Sequence, residues 1–348
     1  MGYRARRKGD SGLVPCIPQW RRVRTRIVSG PAPNVAQGAS RGGASLKALL
    51  TGGAGFIGGN LARELVALGY EVVALGRRAC PVAGVKSIEA ARLDPETLRR
   101  AMSAEHFDFV FHLAAAGVHP ADRNREELIR VNATLPAEVV SAARDAGVSS
   151  VVLMGSSAEY AGPQTGLLTE DMLLESGKIY GASKAAGGLL ALATAAECGL
   201  PVAVLRAFNV FGPGEAEHRL LPSLVANLTR GEAVSLSLGT QIRDFVYVDD
   251  ACNGLIAAAT ALSGSRMRSG AYNLSTGIGV SVADFARTVA RRMNADDGLL
   301  RFGALPLRPD DLPEVVGDPS SLQSAAMWRA NCSLEEGVTE ALRRIGLD

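Results

Sequence analysis

The stretch Thr51-Gly52-Gly53-Ala54-Gly55-Phe56-Ile57-Gly58 closes a short apolar run that begins at Lys47. After it, leucines continue at helical spacing as far as Gly69, a residue type that favours helix termination. A strand, a turn with glycine at positions 52, 55 and 58, and a helix together form a unit that binds a dinucleotide. The three glycines permit, in order, the tight turn, the approach of a pyrophosphate and close packing of the helix on the strand. The free N–H groups at the start of the helix then favour the phosphates.

Strand and helix patterns alternate along the chain after this turn. The predicted strands cover residues 47–51, 70–75, 107–113, 151–154 and 202–206, and the long helices between them cover 126–145 and 180–198. Asp94 and Pro95 open a further helix as its N-cap and its first residue. The alternation predicts a Rossmann-type, doubly wound parallel α/β sheet. After Arg206 the rhythm changes, and we expect a smaller C-terminal α/β lobe that binds the substrate.

Charge and composition divide the chain into three parts. Residues 1–46 carry nine Lys or Arg against one acidic residue, so they hold +8 and leave −6 to the rest of a chain whose net charge is +2. A basic isoelectric point therefore does not indicate that the body binds nucleic acid. We expect residues 1–46 to be a basic, disordered extension; a targeting peptide and a basic arm for nucleic acid or anionic lipid are the alternatives. Residues 47–206 would form the NAD(P)-binding domain and 207–348 mainly the substrate lobe, with some segments returning to the sheet.

Cysteine spacing and apolar patterning exclude two further classes of protein. The five cysteines are dispersed, with no C-x-x-C pair and no zinc-ligand spacing. We therefore expect reduced thiols in a cytoplasmic protein that has no metal site. No apolar run approaches the roughly 18–20 residues that a membrane helix needs, so we expect no membrane partner.

The end of the second predicted strand bears on the choice of cofactor. An NAD site usually places an acidic residue there, which accepts hydrogen bonds from the ribose 2′-hydroxyl. This chain has Gly76, Arg77 and Arg78 instead. Two guanidinium groups can hold a 2′-phosphate, so NADP(H) is favoured over NAD(H), while solvated arginines are the alternative.

Tyr180 and Lys184 form a Y-x-x-x-K pair at the start of a predicted helix, and Ser156 lies at the end of the preceding strand. A spacing of four residues places the tyrosine and the lysine on one helix face. The pKa of a phenol, about 10, is too high for a base at neutral pH, and a neighbouring ammonium group lowers it. A serine hydroxyl can hydrogen-bond the substrate oxygen that gains or loses a proton. The pattern predicts acid–base chemistry on such an oxygen.

Further segments follow in an order that resembles one protein family. They are T-G-G-A-G-F-I-G (51–58), H-L-A-A (112–115), V-N (131–132), G-S-S-A-E-Y (155–160), Y-G-A-S-K (180–184), R-A-F-N-V-F-G-P (206–213), R-D-F-V-Y-V-D-D (243–250), Y-N-L-S-T-G (272–277) and R-P-D-D-L-P (308–313). From Lys47 to its C-terminus the chain resembles an extended short-chain dehydrogenase/reductase of the NAD-dependent epimerase/dehydratase family. The members of this family act on nucleotide sugars.

The resemblance implies a role for individual residues. Ser156, Tyr180 and Lys184 would form the catalytic triad, with Tyr180 as acid/base. The cofactor would contact Gly52, Gly55, Phe56, Ile57, Gly58, Arg77, Arg78, Leu113, Ala114, Ala115, Asn132, Tyr180 and Lys184. The nucleotide-diphosphate sugar would contact Ser157, Asn209, Arg219, Arg243, Arg308 and Asp311, with the arginines on its phosphates and Asp311 on a ribose. A homodimer formed through a four-helix contact is also implied.

The resemblance narrows the reaction. The 4,6-dehydratases of the family carry Thr-Asp-Glu where this chain has Ser156-Ser157-Ala158, so the acids that remove water are missing. Glu159 lies one position late, and dehydration is not expected. Two reactions stay open. We favour reduction of the C4 ketone of an NDP-4-keto-6-deoxyhexose, and the alternative is 4-epimerisation with tightly held NAD, as in UDP-glucose 4-epimerase. A non-catalytic dinucleotide-binding protein is disfavoured because such relatives lose the Tyr-Lys pair.

Some positions depart from the family pattern or bear on local structure. Leu135-Pro136 replaces the usual Gly-Thr, and Gly187-Gly188 is expected to soften the catalytic helix. These departures affect the sugar pocket rather than the cofactor site. Asp249 and Asp250 are expected to cap the helix that follows them.

Overall fold

The computed structural model describes residues 45–119, 122 and 124–347. The expected disordered extension lies, apart from its last two residues, outside the described residues. The strands are β1 (Lys47–Thr51), β2 (Glu71–Gly76), β3 (Val85–Glu89), β4 (Phe109–His112), β5 (Ser150–Ser156), β6 (Val202–Ala207), β7 (Asn209–Phe211), β8 (Val234–Ser235), β9 (Ile242–Tyr247), β10 (Gly270–Leu274), β11 (Gly279–Ser281), β12 (Leu300–Arg301) and β13 (Glu314–Val315).

The helices lie between these strands. The α-helices are α1 (Phe56–Ala67), α2 (Pro95–Ser103), α3 (Arg125–Leu128), α4 (Leu135–Asp145), α5 (Ile179–Cys198), α6 (Leu220–Thr229), α7 (Val248–Ser263), α8 (Val282–Arg292), α9 (Ser320–Ala326) and α10 (Leu334–Arg344). A π-helix covers Ile129–Thr134, and 3₁₀ turns cover Ser157–Glu159 and Asp297–Leu299. Within the described part of the chain, no helix has both the length and the hydrophobicity that are needed to cross a membrane.

The main sheet confirms the predicted fold class. Its seven strands in the described residues are all parallel and follow the order β10-β6-β5-β4-β1-β2-β3. This is the Rossmann order with a seventh strand added beside β6. The chain leaves β1 toward β3 on one side and returns to β4 on the other, so a crevice forms at the carboxyl ends of β1 and β4. Ligands of open parallel sheets bind in such a crevice.

A hydrophobic core covers each face of this sheet. Leu49 and Leu50 are both fully buried, yet they belong to different cores because neighbouring strand residues point to opposite faces. Leu50 packs in the core that includes α1 and α7, and Leu49 in the core that includes α2, α4 and α5. Burial on both faces explains why the strands read as continuous apolar runs rather than as alternating patterns.

The C-terminal third contributes to three sheets, the smallest of which is the parallel pair of β8 and β12. Strand β10 pairs with β6 and extends the main sheet. Strand β9 pairs in parallel with β7 and β13 and antiparallel with β11, which builds a smaller sheet. The division into domains at residues 47, 206 and 348 stays a prediction.

The helix predicted over residues 126–145 is wrong in one respect, because the structure divides it into three pieces. Helix α3 is followed by the π-helix Ile129–Thr134 and then by α4. Pro136 lies in the first turn of α4 and has no N–H to donate, so regular α-helical hydrogen bonding cannot run through this point. The wider π turn accommodates the break.

Of the three aspartates assigned to helix starts, one acts as a cap. The Asp94 carboxylate accepts a 2.8 Å hydrogen bond from the Thr97 amide at the start of α2. Asp249 and Asp250 lie in the first turn of α7 without capping it. Asp249 instead pairs with Arg344 at 2.8 Å, and buried Asp250 accepts bonds from two backbone amides of the C-terminal segment. The two aspartates anchor that segment to α7.

Candidate functional site

The glycine turn brings β1 and α1 into contact with each other. Gly52 has a φ of +77°, which a side chain would strain. A Cβ at Gly58 would clash with the carbonyl oxygen of Gly52, so only glycine lets α1 start so close to the turn. Gly55 is the N-cap and brings no side chain to the helix start, and the first turn holds no acidic residue. The amides of this turn therefore suit an anion, and the residues present fit a dinucleotide pyrophosphate.

Thr51 and His112 join the ends of β1 and β4 at the crevice. The Thr51 hydroxyl lies 2.8 Å from His112 Nδ1, and it accepts a 3.4 Å bond from the Ala114 amide. Burial, with a contribution from the charge of Lys184, lowers the pKa of His112 to about 3. His112 is thus a neutral, structural residue that fixes the loop predicted to line the cofactor.

Asn132 lies in the π-helix and is almost fully buried. Its Oδ1 accepts a 2.9 Å bond from the Ala116 amide, and its Nδ2 donates to the Ala116 carbonyl and to the Ser183 hydroxyl at 3.0 and 3.2 Å. Asn132 therefore ties the loop after β4 to α5, and the direct cofactor contact expected of it stays a prediction.

The expected softening of the catalytic helix by Gly187 and Gly188 stays a prediction. Helix α5 is continuous over its 20 residues. A Cβ at Gly187 would clash with the Asn132 carbonyl oxygen, so this glycine allows the close approach of α5 and the π-helix. The departure at Gly187 is thus a packing requirement.

Ser156, Tyr180 and Lys184 are carried by two elements that touch. Ser156 is the last residue of β5, and Tyr180 lies in the first turn of α5. A Cβ at Gly181 would clash with the Ala158 carbonyl oxygen, which places the start of α5 against the 3₁₀ turn after Ser156. Lys184 Nζ donates a 2.6 Å bond to the carbonyl of Met154, two residues before Ser156. The structure therefore brings the expected triad to the carboxyl end of β5.

The electrostatic setting of Lys184 has two opposing contributions. Burial lowers the pKa of Lys184, and the nearby carboxylate of Glu159 raises it. Burial lowers the pKa of Lys184 overall, and a lysine with a lowered pKa can exchange a proton more readily than an exposed one. Such a group next to a tyrosine suits proton transfer to or from a bound oxygen.

Glu159 and Arg206 form a buried ion pair beside Ser156 that the sequence motifs do not predict. Glu159 is 1% exposed and Arg206 is 5% exposed, and Arg206 Nε lies 3.0 Å from Glu159 Oε2. The Ser156 amide donates a 2.8 Å bond to Glu159 Oε1. The sequence does contain a signal, because an arginine inside an apolar strand needs a buried acidic partner.

Arg77 and Arg78 follow β2 directly and are exposed. Because β1 and β2 are parallel neighbours, the two arginines lie at the same sheet edge as the glycine turn. This position suits the ribose end of a dinucleotide that is bound at Gly55. The preference for a 2′-phosphate stays a prediction.

The smaller sheet assembles several of the predicted substrate contacts. Asn209 on β7 lies opposite Phe245 on β9, two residues after Arg243. The Arg243 guanidinium pairs with the Asp311 carboxylate and donates a 2.9 Å bond to the Leu312 carbonyl. Arg243 and Asp311, assigned separately to phosphate and ribose, therefore contact each other.

The other predicted substrate residues lie on separate loops and turns. Arg308 is exposed in the loop that carries Asp311, and Ser157 is half-buried in the 3₁₀ turn. Arg219 is the N-cap residue of α6, and its Nε lies 3.0 Å from Glu215 Oε1. Burial raises the pKa of Glu215, while the charge of Arg219 opposes the rise.

Comparison with known families gives a match over most of the chain. The family model described as "NAD dependent epimerase/dehydratase family" matches residues 48–274. A UDP-glucose 4-epimerase of Bacillus subtilis is 29% identical over 328 residues, which cover 85% of this chain and 95% of that protein. A dTDP-4-dehydro-6-deoxy-D-allose reductase of Streptomyces bikiniensis is 30% identical over 299 residues, covering 79% of this chain and 86% of that protein.

A dehydratase and a solved structure complete the comparison. A dTDP-glucose 4,6-dehydratase of Streptomyces griseus is 32% identical over 73% of this chain and 80% of that protein. The structure of MoeE5 in complex with UDP-glucose and NAD is similar with a TM-score of 0.75 and 33% identity, covering 86% of this chain and 99% of that one. Similar proteins thus catalyse three different reactions at about 30% identity.

Proposed function

The chain belongs to the NAD-dependent epimerase/dehydratase family, and on this premise we propose that it reduces the C4 ketone of an NDP-4-keto-6-deoxyhexose with NADPH. The family makes it an NAD(P)-dependent enzyme of nucleotide-sugar metabolism. The arginine pair Arg77 and Arg78 at the exposed end of β2 carries the finer proposal. A reductase exchanges its cofactor in every turnover, and these arginines suit a dissociable NADPH.

Each residue of the site has a distinct role in this reaction. A bound nicotinamide cofactor supplies hydride to C4 of the sugar. Tyr180 donates a proton to the C4 oxygen, and Ser156 donates a hydrogen bond to the same oxygen. The ammonium group of Lys184 stabilises the phenolate that Tyr180 becomes when it gives up its proton. Arg243 holds the diphosphate, which orients C4 toward Tyr180.

Arg308, Arg219 and Asp311 complete the proposed substrate site. Arg308 and Arg219 add positive charge for the diphosphate, and Asp311 accepts hydrogen bonds from a ribose. When the diphosphate binds, it competes with Asp311 for the Arg243 guanidinium. The loop around Asp311 would then be free to close on the ribose.

Dehydration is disfavoured by the position of Glu159. This carboxylate is buried and faces Arg206 and the Ser156 amide. The 3₁₀ turn otherwise offers Ser157 and Ala158, neither of which can act as a carboxylic acid. A non-catalytic role is disfavoured because Tyr180 and Lys184 are both present at the same sheet edge.

Epimerisation at C4 is the second candidate. The similarity to the Bacillus subtilis UDP-glucose 4-epimerase covers 85% of this chain and favours it. The same Tyr180 and Lys184 would then remove and return one proton, with NAD retained between the two half-reactions.

A substrate panel tests the proposal. The purified protein is mixed with UDP-, GDP-, dTDP- and CDP-linked 4-keto-6-deoxysugars and with NADPH or NADH, and absorbance at the reduced nicotinamide band is followed. Stoichiometric loss of NADPH with formation of a 4-hydroxy sugar supports the reductase. In a parallel incubation of UDP-glucose with NAD, interconversion of UDP-hexoses without net cofactor consumption would replace the reductase by the epimerase.

We also propose a homodimer that forms through α5 and the π-helix. Leu189 and Leu190 on α5 are 57% and 48% exposed, and Ile129 on the π-helix is 43% exposed. Apolar side chains of this size are favourable contacts in a helix-to-helix interface. Light scattering on Leu189→Glu/Leu190→Glu, which should give monomers, tests this surface.

The cytoplasmic location stays a prediction. The four cysteines in the described residues are free thiols.

A further inference from the structure

The buried ion pair of Glu159 and Arg206 does not belong to any role described above. Arg206 on β6 also donates to the Glu170 carbonyl at 3.0 Å and to the Tyr160 hydroxyl at 3.1 Å. Tyr160 in turn donates a 2.5 Å bond to Asn273 Oδ1 on β10. The guanidinium group is thus fixed from several directions, and it holds the Glu159 carboxylate in one place.

Glu159 uses its other carboxylate oxygen on the backbone of Ser156. The Ser156 amide donates to Glu159 Oε1 at 2.8 Å, while the Ser156 hydroxyl accepts from the Ala158 amide at 3.1 Å. The bond from the Ser156 amide to Glu159 is part of a capping box at the turn between β5 and the following segment. Glu159 therefore fixes the backbone of Ser156, from which the side chain extends, and the Ala158 amide holds the hydroxyl.

The same carboxylate acts on Lys184. Glu159, Lys184 and Met154 line one narrow pocket together with His112 and Asn132. Lys184 Nζ donates to the carbonyl of Met154 on β5. Glu159 binds the same strand at its last residue, Ser156. The titratable groups that face Lys184 are Glu159, the neutral His112 and, one turn earlier on α5, Tyr180. Burial lowers the pKa of Lys184 overall, and the Glu159 carboxylate opposes that decrease.

We propose that Glu159 is a positioning residue for the reaction, which sets both the orientation of Ser156 and the charge of Lys184, and that Arg206 holds Glu159 in place for this purpose. This inference rests on the proposed function of the Ser156–Tyr180–Lys184 site. A purely structural pair would stabilise the fold and leave the chemistry of folded molecules unchanged. The two roles differ in their effect on kcat and on its pH dependence.

The primary variant is Glu159→Gln. An amide can still accept the bond from the Ser156 amide, but it removes the negative charge beside Lys184. The pKa of Lys184 should then fall, so its ammonium form is lost at lower pH. We expect kcat to decrease more than about tenfold, with little change in KM. The alkaline limb of the kcat profile should move to lower pH by at least about half a unit.

A matched control separates this effect from general loss of a buried acid. Asp250 is also buried, at 7% exposure, and accepts bonds from the Asn331 and Cys332 amides. Asp250→Asn should lower the melting temperature and leave kcat and the pH profile as in the wild type. If Glu159→Gln behaves like Asp250→Asn, the positioning role is wrong.

A double variant covers the case in which Glu159→Gln does not fold. Glu159→Gln/Arg206→Gln removes both buried charges and retains hydrogen-bonding groups. Low kcat and a shifted alkaline limb in the folded double variant support the proposal. Wild-type kcat with a wild-type pH profile overturns it.

Cofactor affinity gives a test that does not need the sugar substrate. The dissociation constant of NADPH is measured against pH by nicotinamide fluorescence for the wild type and for the folded variant. Weakening at alkaline pH should begin at lower pH in the variant, because Lys184 loses its proton earlier. If the wild type converts no nucleotide sugar, the pH dependence of NADPH binding alone tests the role of Glu159. A shifted curve supports the role of Glu159 although the proposed reaction fails, and superimposable curves overturn it.

Discussion

The Nζ of Lys184 lies 2.6 Å from the carbonyl oxygen of Met154, so helix α5 is held to strand β5 two residues before Ser156. This bond replaces water around the ammonium group by a fixed backbone dipole. It also sets the distance between the helix that carries Tyr180 and the strand that carries Ser156. Lys184 therefore links the helix that carries Tyr180 to the strand that carries Ser156.

Lys184→Met should retain most of the packing volume and remove the charge. We expect kcat to fall by about 10²–10³, since the Tyr180 phenolate loses its counter-charge. Circular dichroism and the melting temperature report whether the fold is intact, and steady-state kinetics on the active nucleotide sugar report the loss. A kcat within threefold of the wild type would contradict the assignment of Lys184.

Tyr180→Phe should abolish proton transfer and spare the cofactor site. Turnover is expected to decrease by about 10³ or more, while the dissociation constant of NADPH changes less than about threefold. Both are measured on one preparation, by absorbance and by fluorescence. Normal turnover in this variant would require another acid at the C4 oxygen.

Gly58 and Gly59 offer a matched pair for the cofactor turn. A Cβ at Gly58 would clash with the Gly52 carbonyl, whereas at Gly59 it would lie 3.6 Å from the nearest atom, the Gly53 oxygen. Gly58→Ala should therefore weaken NADPH binding by more than about tenfold, and Gly59→Ala should leave it unchanged. Isothermal titration of both variants checks this, and equal affinities would show that the close contact is not required.

Arg77→Ala/Arg78→Ala should change the choice of cofactor. Loss of two guanidinium groups removes the charge-assisted bonds to a 2′-phosphate, so NADPH affinity should fall by about tenfold or more. NADH affinity should stay within about twofold, because NADH has no such phosphate. The ratio of the two dissociation constants is the measurement, and an unchanged ratio indicates that the arginines are only solvated.

His112 should make the protein sensitive to acid. Its folded pKa of about 3 lies below the unfolded value of 6.5, so the unfolded chain binds the extra proton as the pH falls. Stability from this group is therefore complete above pH 6.5 and decreases between 6.5 and 3, by about 2 kcal/mol between pH 7 and 5. Urea denaturation at both pH values should show this loss, and His112→Asn should remove it. An equal loss in the variant would assign the acid sensitivity to other groups.

Local patterns were sufficient to predict the architecture. Lys47–Thr51, the glycine turn and α1 form the unit that the spacing of glycine and leucine indicates. The Y-x-x-x-K pair at Tyr180 and Lys184 lies on α5 as predicted, since its members are only one turn apart. These features depend on residues close in sequence, which is why a sequence can show them.

The features that could not be predicted depend on pairs distant in sequence. The contact of Arg243 with Asp311 and the pair of Glu159 with Arg206 each require the sheet register before they can be seen. The π-helix is equally hidden, because the buried residues Leu128, Val131 and Leu135 keep the i, i+3, i+7 spacing of an ordinary helix. Its close contact with Gly187 on α5 is visible only in the structure, whereas Pro136, which interrupts the α-helical hydrogen bonding, is visible in the sequence.

The π-helix has a consequence for how this region tolerates changes in length. Successive helical residues differ by about 100° in direction, while Asn132 must face Ala116 and α4 must face the sheet with Val139 and Val140. The number of residues between Asn132 and Val139 therefore sets the angle between these two faces. Deletion of one residue within the π-helix would turn Asn132 by about 100° relative to α4. Either the hydrogen bonds of Asn132 to Ala116 or the burial of Val139 and Val140 would then be lost.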